Sequence, residues 1–396
     1  MRVGIDATCW TNPRGYGRYA RGLLTALLAD SPRHDFVLFV DKYTRTDPRW
    51  PLPPDARYVV VETSQSPTAA ASASGQRSLP DLLAMMAAVM REPLDVLFFP
   101  SVYTYFPAVT RAQVVLGVHD VIAERYPHLI FPNRKHLLLW QLKGWLAHRQ
   151  ARYIVTVSDY AKAGILRHFQ HRPDRVWVVG EAPDPAFRPI EDEQAVSTVL
   201  NRYGLDRSTR FVVCLGGLNP HKNLGALFRA VAELRREPQF ANVEIVLVGP
   251  AESDTFTPGA ADARRTVAEL GLTGVVHFLG YLPDEDVACL LNAACVLAMP
   301  SFDEGFGLGA VEAAACGTPV IATDNSPLPS LLDGGGWFID PRQPQQLIEA
   351  LKDALSNETA RKKMGRAARA RARALTWRRS AAQFNALLDS LELDKR

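Results

Sequence analysis

Two patterns of hydrophobic and polar positions alternate along the chain. Short apolar runs such as Val243–Val248 are followed by longer segments in which apolar residues recur at helical spacing. Short, continuously apolar runs are typical of strands that are buried on both faces of a parallel sheet. Repeated from one end of the chain to the other, the alternation predicts an α/β fold in which helices cover parallel sheets.

The predicted strands fall into two series, separated by Pro183, Pro185 and Pro189. The first series is Arg2–Ala7, Phe36–Asp41, Tyr58–Glu62, Val96–Phe99, Gln113–Val118, Tyr153–Val157 and Val176–Val179. The second series is Phe211–Leu215, Val243–Val248, Val275–Leu279, Val296–Met299, Pro319–Ala322 and a short edge strand at Gly336–Ile339. Each series has the size of a domain, which predicts one domain over residues 1–185 and another over residues 186–376.

Three segments stand apart from this alternation. Ser64–Ser78 is rich in Ser, Ala, Pro and Gln and is interpreted as a mobile loop. Met364–Leu375 predicts a helix with a solvated basic face. Trp377–Leu391 has apolar residues at helical spacing, so this last helix needs a surface to pack on, and the first domain is one candidate.

Composition narrows the class of protein. The 396 residues are 47% hydrophobic and 22% charged with a formal net charge of +3, so a globular protein is expected and a nucleic-acid partner is not. No apolar run reaches membrane-spanning length, and Met1–Asp6 is interpreted as a first strand rather than a signal peptide. The five cysteines are scattered in apolar stretches, which predicts reduced core residues in a cytoplasmic protein.

The most informative segment is the strand–turn–helix unit around Glu304 and Glu312. A buried strand is predicted at Val296–Met299, and a helix from near Leu308 through Ala315. Between the two acids, the backbone N–H groups of four residues meet at a helix N-terminus and suit an anion such as diphosphate: Gly305, Phe306, Gly307 and Leu308. Two carboxylates beside an anion cradle predict a ligand with phosphate and hydroxyl groups. The alternative is a structural turn with Glu312 as a surface residue.

Lys222 stands where the first strand of the second series gives way to the predicted helix Leu224–Arg235. A lysine at such a junction holds a phosphate as a point charge. The alternative is an exposed lysine, which the dipole of the following helix disfavours.

Gly15 and Gly17 follow the first strand and open a helix predicted over Arg18–Leu28, where the backbone can approach a ligand closely. A dinucleotide site with Asp41 on a ribose is the alternative. The interval Thr8–Arg14 is too long for the tight turn of that motif.

His119 and Asp120 end a predicted strand, at the edge where open α/β sheets place ligand-contacting groups. Their interpretation stays open between a general acid–base, an imidazole that binds a sugar hydroxyl, and a histidine satisfied by local backbone. After Val157, Asp159 is interpreted as a helix cap and the role of Ser158 is left open.

The acids Asp284, Glu285 and Asp286 look superficially like an Asp-x-Asp metal motif. They follow Pro283 and start a predicted helix, where carboxylates cap amides and favour the dipole. The structural interpretation is preferred, and no metal site is assigned.

With these residues described, the chain resembles the retaining glycosyltransferases of family 4, which have the GT-B fold and include sucrose synthases and bacterial mannosyltransferases. The resemblance spans nearly the whole chain, and the element from Glu304 to Glu312 is its most specific motif. It also rests on the segments Gly15–Tyr19, His119–Asp120, Thr156–Ser158, Gly216–Asn223, Val276–Leu282 and Gly317–Ala322.

The resemblance implies two Rossmann-like domains whose parallel sheets face each other across a cleft, with residues 377–396 packed back on the first domain. The implied reaction moves a sugar such as mannose, rhamnose or glucose from a GDP-, UDP- or dTDP-sugar to a hydroxyl of a glycan, lipid-linked or small-molecule acceptor. Anomeric configuration would be retained. No cofactor or metal is expected, because Lys222 and backbone amides would handle the phosphates.

The resemblance also implies roles for single residues. Glu312 would bind the ribose hydroxyls and Lys222 the diphosphate. Glu304 would hold hydroxyls of the donor sugar, and His119 would approach its 6-position. The implied catalytic residues are therefore His119, Glu304 and Lys222. The other implied donor-binding residues are Gly15, Gly17, Gly217, Tyr281, Leu282, Gly305, Phe306, Gly307 and Leu308.

One departure from the family pattern concerns the diphosphate. Many relatives carry an arginine at the position of Gly217, so one contact is missing here or is supplied by Arg14 or Arg18. Alternatives to sugar transfer are another nucleotide-sugar enzyme of this fold, such as an epimerase or phosphorylase, a Rossmann dehydrogenase, and an inactive sugar-nucleotide-binding subunit.

The acceptor is not determined by the sequence. Trp140, Trp145, Lys135, Lys143 and Arg149 form a basic, aromatic stretch that suits a peripheral contact with an anionic membrane, on its cytoplasmic face, carrying a lipid-linked acceptor. A core helix with a solvated rim is the alternative of at least equal weight.

Overall fold

A computed structural model describes residues 1–29, 33–64, 78–206, 208–249 and 258–393, and the chain divides into two compact units. The first unit contains residues 1–181 and 376–396, and the second contains residues 182–375. The interior of the predicted loop Ser64–Ser78, residues 65–77, lies outside the described residues.

The first unit is built on a parallel sheet of seven strands in the order β3-β2-β1-β4-β5-β6-β7. Its strands are Arg2–Asp6 (β1), Asp35–Asp41 (β2), Arg57–Val61 (β3), Val96–Phe99 (β4), Gln113–Gly117 (β5), Tyr153–Thr156 (β6) and Val176–Val178 (β7). Its helices are Gly15–Ala29 (α1), Lys42–Thr46 (α2), Leu79–Arg91 (α3), Ile122–Arg125 (α4), Pro127–Ile130 (α5), Arg134–Gln150 (α6) and Asp159–His168 (α7). The central strands are buried along their length, as continuous apolar runs in a parallel sheet require.

The second unit is built on a parallel sheet of six strands in the order β10-β9-β8-β11-β12-β13. Its strands are Arg210–Leu215 (β8), Val243–Val248 (β9), Val276–Gly280 (β10), Val296–Met299 (β11), Val320–Thr323 (β12) and Gly336–Ile339 (β13). Its helices are Glu193–Arg202 (α8), Leu224–Leu234 (α9), Pro258–Glu269 (α10), Asp284–Ala293 (α11), Leu308–Cys316 (α12), Leu328–Leu331 (α13), Pro344–Ser356 (α14) and Glu358–Ala372 (α15).

The final helix, Trp377–Leu393 (α16), belongs to the first unit and packs against α1. Its apolar side is buried, and the rings of Phe384 and Phe98 lie 4.6 Å apart. The Gln383 side chain accepts a hydrogen bond from the backbone N–H of Gly180 at 3.0 Å. The apolar stripe seen in the sequence therefore contacts the sheet of residues 1–181.

The predicted strands are confirmed with their bounds shifted by no more than a residue or so. The basic helix begins earlier than predicted, at Glu358 rather than Met364, because the Asn357 side chain caps it by accepting from the Ala360 N–H at 3.0 Å. The predicted cysteine chemistry is also confirmed, since the cysteines are free and all except the partly buried Cys295 are buried.

In both sheets the chain winds outward from a central strand and then returns to continue on that strand's other side. The reversal falls between β1 and β4 in the first unit and between β8 and β11 in the second. Ligands of open α/β sheets bind outside the carboxyl ends of the strands at such a point. Within the residues that the structure describes, every helix is too short or too polar to cross a lipid bilayer.

Candidate functional site

The second unit joins two loops at the carboxyl ends of β8 and β11. The backbone N–H of Phe302, after β11, donates to the carbonyl of His221, after β8, at 2.8 Å. Asn223 takes a left-handed conformation with φ of 55° and donates from its side chain to the carbonyls of Pro300 at 3.2 Å and Pro341 at 3.3 Å. Hydrogen bonds therefore join the loops after β8 and β11, where the strand order of the second unit reverses.

Lys222 and Glu304 form an ion pair across these loops. The lysine Nζ donates to Glu304 Oε1 at 2.7 Å, and the hydroxyl of Ser301 donates to the same oxygen at 2.6 Å. Burial alone would raise the pKa of Glu304, but the charge and hydrogen bond of Lys222 lower it below its usual range. The Lys222 side chain is only 20% exposed, so the alternative of an exposed lysine is wrong.

Helix α12 begins at this ion pair. Its N-cap is Gly307, with φ of 85°, and no side chain caps the first turn. A Cβ on Gly307 would meet the Leu328 side chain at 2.7 Å, and the positive φ disfavours any other residue. The first N–H groups of a helix lack partners within it and carry the positive end of its dipole, so this terminus suits an anion.

Glu312 lies on the second turn of α12 and is 5% exposed, so the alternative of a surface residue is wrong. Burial raises the pKa of the Cys316 thiol, one turn further on, to about 12, and the carboxylate of Glu312 adds to that shift. A carboxylate among the small apolar residues of this helix is costly unless it has polar partners. Glu312 is therefore a buried carboxylate on the helix that follows the Lys222–Glu304 ion pair.

The remaining predicted donor-binding residues of the second unit lie at three places. Gly305 and Phe306 are buried in the loop before α12, and Leu308 is the first residue of that helix. Gly217 follows β8. Tyr281 and Leu282 follow β10, which β9 separates from β8 in the sheet, and Tyr281 is exposed while Leu282 is buried.

In the first unit, His119 follows β5 and is partly buried, with its side chain 16% exposed. Its Nε2 lies 2.9 Å from the carbonyl oxygen of Pro100, which can only accept, so Nε2 carries the proton. Nδ1 lies 3.6 Å from Glu181, and the ring packs edge-on against Tyr19 with centroids 4.7 Å apart. Burial lowers the pKa of His119 to about 4, against the effect of the Pro100 carbonyl. The imidazole is therefore neutral near pH 7, which disfavours a general-acid role.

Gly15 and Gly17 open α1 after β1, so the helix starts three residues before the predicted Arg18. A Cβ on Gly17 would lie 2.1 Å from the backbone oxygen of Asn12, so only glycine fits there. A Cβ on Gly15 would meet nothing within 4 Å, so Gly15 borders open space. The ring of Tyr16, between the two glycines, stacks on Tyr103 with centroids 5.3 Å apart.

A pocket adjoins His119 and is lined in part by Asp120, Glu124, Tyr103 and Trp140. The Trp140 indole N–H donates to Glu124 at 3.0 Å. Burial raises the pKa of Glu124, and the bond from Trp140 partly offsets this. Carboxylates beside aromatic rings provide hydrogen-bond acceptors together with flat apolar surface.

Three predictions outside the donor site have clear outcomes. Ser158 is the N-cap of α7, accepting from the Ala161 N–H at 3.0 Å, so the assignment of that cap to Asp159 is wrong by one residue. Asp284–Asp286 form the first turn of α11, as predicted, and Asp286 pairs with Arg202 at 2.9 Å. Asp41 is fully buried and caps α2, which removes the ribose contact that a dinucleotide site needs.

Three residues of this site have no role predicted from the sequence: Ser301, His221 and Asn223. The Nδ1 atom of His221 is buried and lacks a hydrogen-bond partner, and desolvation together with Lys222 lowers the pKa of this histidine to about 4. A signal for Asn223 existed in the sequence, because asparagine between a proline turn and a helix favours the left-handed conformation. Ser301 had no such signal, since its role depends on where Glu304 folds.

Family models match both halves of the chain. Residues 13–187 match the model described as Glycosyltransferase Family 4, and residues 198–371 match the model described as Glycosyl transferases group 1. The two matched regions lie almost wholly within the first and second structural units, respectively.

Curated relatives match over part of their length. A D-inositol 3-phosphate glycosyltransferase of Corynebacterium glutamicum strain R is 32% identical over 225 residues, which are 56% of this chain and 53% of the relative. An O-antigen chain mannosyltransferase B of Escherichia coli is 28% identical over 228 residues, 57% of this chain and 58% of the relative. The match thus spans about half the length of these relatives.

Solved structures match over the whole chain. Sucrose-phosphate synthase from Thermosynechococcus elongatus has a TM-score of 0.79 at 19% identity, covering 100% of both chains. HepE from Anabaena, in complex with UDP-glucose, has a TM-score of 0.75 at 19% identity, covering 98% of this chain and 99% of that one. At this identity the likeness concerns the fold, and it confirms the predicted pair of Rossmann-like α/β domains.

Proposed function

The chain belongs, through its two halves, to glycosyltransferase family 4 and glycosyl transferases group 1, and on that premise we propose that it transfers a sugar from a nucleoside-diphosphate donor to an acceptor hydroxyl. The observation that carries the proposal is the Lys222–Glu304 pair, 2.7 Å long, at the start of the helix that bears buried Glu312. A cation, a helix N-terminus and two carboxylates suit a ligand with both phosphates and hydroxyls.

The diphosphate is assigned to Lys222 and the first N–H groups of α12. As the bond between the anomeric carbon and the phosphate oxygen breaks, negative charge grows on the leaving diphosphate. A lysine already fixed in place and an oriented helix dipole stabilise that charge without rearranging. The positive charge comes from the protein, so the proposal includes no metal.

The two carboxylates are assigned to hydroxyl groups. Glu312 would bind the ribose of the nucleotide, and Glu304 would bind the donor sugar. Glu304 is held ionised by Lys222 and Ser301, so it accepts hydrogen bonds from hydroxyls and favours the positive charge that develops at the anomeric carbon. We assign the proton of the acceptor hydroxyl to the departing phosphate oxygen, on the same face of the sugar, which retains the anomeric configuration.

His119 is assigned to a hydroxyl of the transferred sugar. Because Nε2–H donates to the Pro100 carbonyl, Nδ1 is left as an acceptor near Glu181. A neutral imidazole in this tautomer orients a hydroxyl but does not deliver a proton at neutral pH.

The acceptor is assigned to the pocket beside His119. Asp120 and Glu124 accept hydrogen bonds, and Tyr103 and Trp140 offer ring faces, a combination that fits a polyhydroxylated acceptor such as a sugar or cyclitol. The names of the relatives, one acting with an inositol phosphate and one on an O-antigen chain, are in keeping with an acceptor of this class.

A donor screen tests the proposal. The protein is incubated with UDP-, GDP- and dTDP-sugars, with and without candidate polyol acceptors, and release of free nucleoside diphosphate is followed. We expect acceptor-dependent release with one donor, and proton NMR of the product should show the donor's anomeric configuration. Epimerisation of the sugar without release indicates a nucleotide-sugar epimerase instead. Tight nicotinamide-dinucleotide binding with no release supports a dehydrogenase.

A further inference from the structure

Helix α6, Arg134–Gln150, turns an apolar surface toward solvent. Exposed large apolar side chains gather there, at helical spacing: Leu138 at 64%, Leu139 at 45%, Leu142 at 55% and Trp145 at 59%. The opposite side of the helix is anchored, because Trp140 and Ala147 are buried. The four exposed residues therefore form one patch, here called the α6 patch, and they do not belong to the core.

Positive charges flank the α6 patch at both ends of its helix. Arg134 and Lys135 are exposed at the start of the helix, and Arg149 is exposed at its end, with its guanidinium 5.7 Å from the Trp145 ring centroid. No aspartate or glutamate occurs in the sequence between Glu124 and Asp159. The helix thus carries leucines and a tryptophan between cations, with no acid of its own to neutralise them.

Not every cation of the helix contributes to this surface. The Lys143 Nζ donates to the backbone oxygen of Tyr103 at 2.7 Å, beside the pocket of the first unit. The cations that flank the patch are therefore Arg134, Lys135 and Arg149. This separates the outward surface of α6 from the residues assigned to the acceptor.

We propose that the α6 patch docks on an anionic lipid surface. Leucine and tryptophan side chains at this spacing insert into the boundary between headgroups and acyl chains, and cations at both ends meet the anionic headgroups. Tryptophan favours that boundary because its ring is apolar and its N–H is polar. This inference rests on exposure and charge, and it does not depend on the proposed sugar transfer.

Charge complementarity selects lipid over other occupants. A second copy of the chain, placed on the same patch by a two-fold axis, would bring Lys135 and Arg149 against like charges. Nucleic-acid sites gain most of their affinity from cations on phosphates, whereas the centre of this patch is apolar. An anionic bilayer satisfies both the apolar centre and the cationic ends.

The test is co-sedimentation of the full chain with vesicles of phosphatidylglycerol and phosphatidylcholine in equal amounts, and with pure phosphatidylcholine. We expect at least tenfold stronger partitioning to the anionic vesicles. The double variant Leu138→Glu, Leu142→Glu should lose at least tenfold of that binding. Each of Lys135→Gln and Arg149→Gln should lose about fivefold, the effect of one cation near an anionic surface.

The matched control is Leu83→Glu with Met90→Glu on α3. Those side chains are also exposed apolar residues of the first unit, and the change in net charge is the same. The control should bind anionic vesicles within twofold of the unmodified chain, and circular dichroism should show both double variants folded. Equal losses in test and control variants, or equal binding to neutral vesicles, overturn the proposal. A lipid-free dimer that the α6 variant dissociates assigns the patch to self-association instead.

Discussion

The two strand reversals share one topology but differ in how they treat charge. In the second unit, a partly buried lysine pairs with a buried carboxylate, and its charge lowers the pKa of Glu304 against the effect of burial. In the first unit, His119 is partly buried against a carbonyl and an aromatic ring, and desolvation lowers its pKa so that the ring is neutral near pH 7. Burial disfavours a charge unless a partner compensates it, so the partner decides which outcome occurs.

The different charge states of the two sites fit the different roles that we propose for them. A preorganised cation is of use where negative charge develops, and the second unit supplies it beside a helix N-terminus. A neutral imidazole is of use where a hydroxyl needs orientation, and the first unit supplies that. Under the proposed function, the same doubly wound sheet would provide an anion site in one unit and a neutral polar site in the other.

The largest expected effect comes from removing the cation. Lys222→Ala should lower kcat/KM by about 30- to 1,000-fold, or about 2–4 kcal/mol of transition-state stabilisation, because the leaving diphosphate loses a fixed positive charge. Steady-state assays with the donor found in the screen measure this.

The matched control for that change is Lys352→Ala, which also breaks a 2.7 Å ion pair in the second unit, with Glu237, but on its surface. Its kinetics should be unchanged. Near-normal turnover of the Lys222 variant, once it is shown to be folded, removes the phosphate role.

The next effect concerns donor affinity. Glu312→Ala should raise the donor KM by about 10- to 100-fold, since hydrogen bonds to a charged group contribute about 1.5–3 kcal/mol, while kcat changes little. The control is Glu349→Ala, an exposed helical glutamate of the same unit. An unchanged donor KM contradicts the ribose assignment, and a loss in kcat alone places Glu312 nearer the reacting bond.

The neutral state of His119 predicts a pH dependence of stability. A folded pKa of about 4 means that the unfolded chain binds the extra proton between pH 6.5 and pH 4. The contribution of the neutral His119 ring to the free energy of unfolding is complete above pH 6.5 and is lost as the pH falls toward 4. The free energy of unfolding should therefore fall by about 2 kcal/mol between pH 7 and pH 5 through this residue.

Urea unfolding at several pH values, for the unmodified chain and His119→Asn, measures that contribution. For the variant, the free energy of unfolding should depend less steeply on pH. If the carboxylate of Glu181 instead keeps the His119 ring protonated, the free energy of unfolding will rise toward low pH. The contrast between a neutral histidine in the first unit and an ion pair in the second is then wrong.

The smallest expected effect comes from neutralising Glu304, which distinguishes its role from that of Lys222, its partner in the ion pair. Glu304→Gln keeps the shape but removes the charge that holds Lys222, so turnover should fall about tenfold while affinity for free nucleoside diphosphate stays equal or rises. Glu237→Gln, which releases the surface lysine Lys352, is the control. Calorimetric titration with the nucleoside diphosphate measures the affinity, and a parallel loss of binding and turnover places Glu304 on the phosphates.

Local pattern was enough to predict most of the fold. Apolar runs such as Val243–Val248 must be strands buried on both faces, and a stripe such as that of Trp377–Leu391 must pack on something. Gly307 and the helix after it were predictable for the same reason, since turn and helix signals act over a few residues.

The candidate site was predictable only residue by residue. The sequence marked Lys222, Glu304 and Glu312 as chemically unusual, because each stands at a strand or helix end or on an apolar face. It did not show that Lys222 and Glu304 lie 2.7 Å apart, that Ser301 shares the same carboxylate oxygen, or that burial makes His119 neutral. The contact between Lys222 and Glu304 joins residues 82 positions apart, and the hydroxyl of Ser301 reaches the same oxygen only in the loop conformation that this ion pair shares.

The sequence by itself determined two parallel-sheet units and the groups from which a site would be built, because hydrophobic period and turn chemistry are local. Only the tertiary structure decided which of those groups are charged and which point to solvent. Ionisation depends on burial and on partners that other strands bring close, and the exposure of the α6 patch depends on which side of its helix the first unit covers.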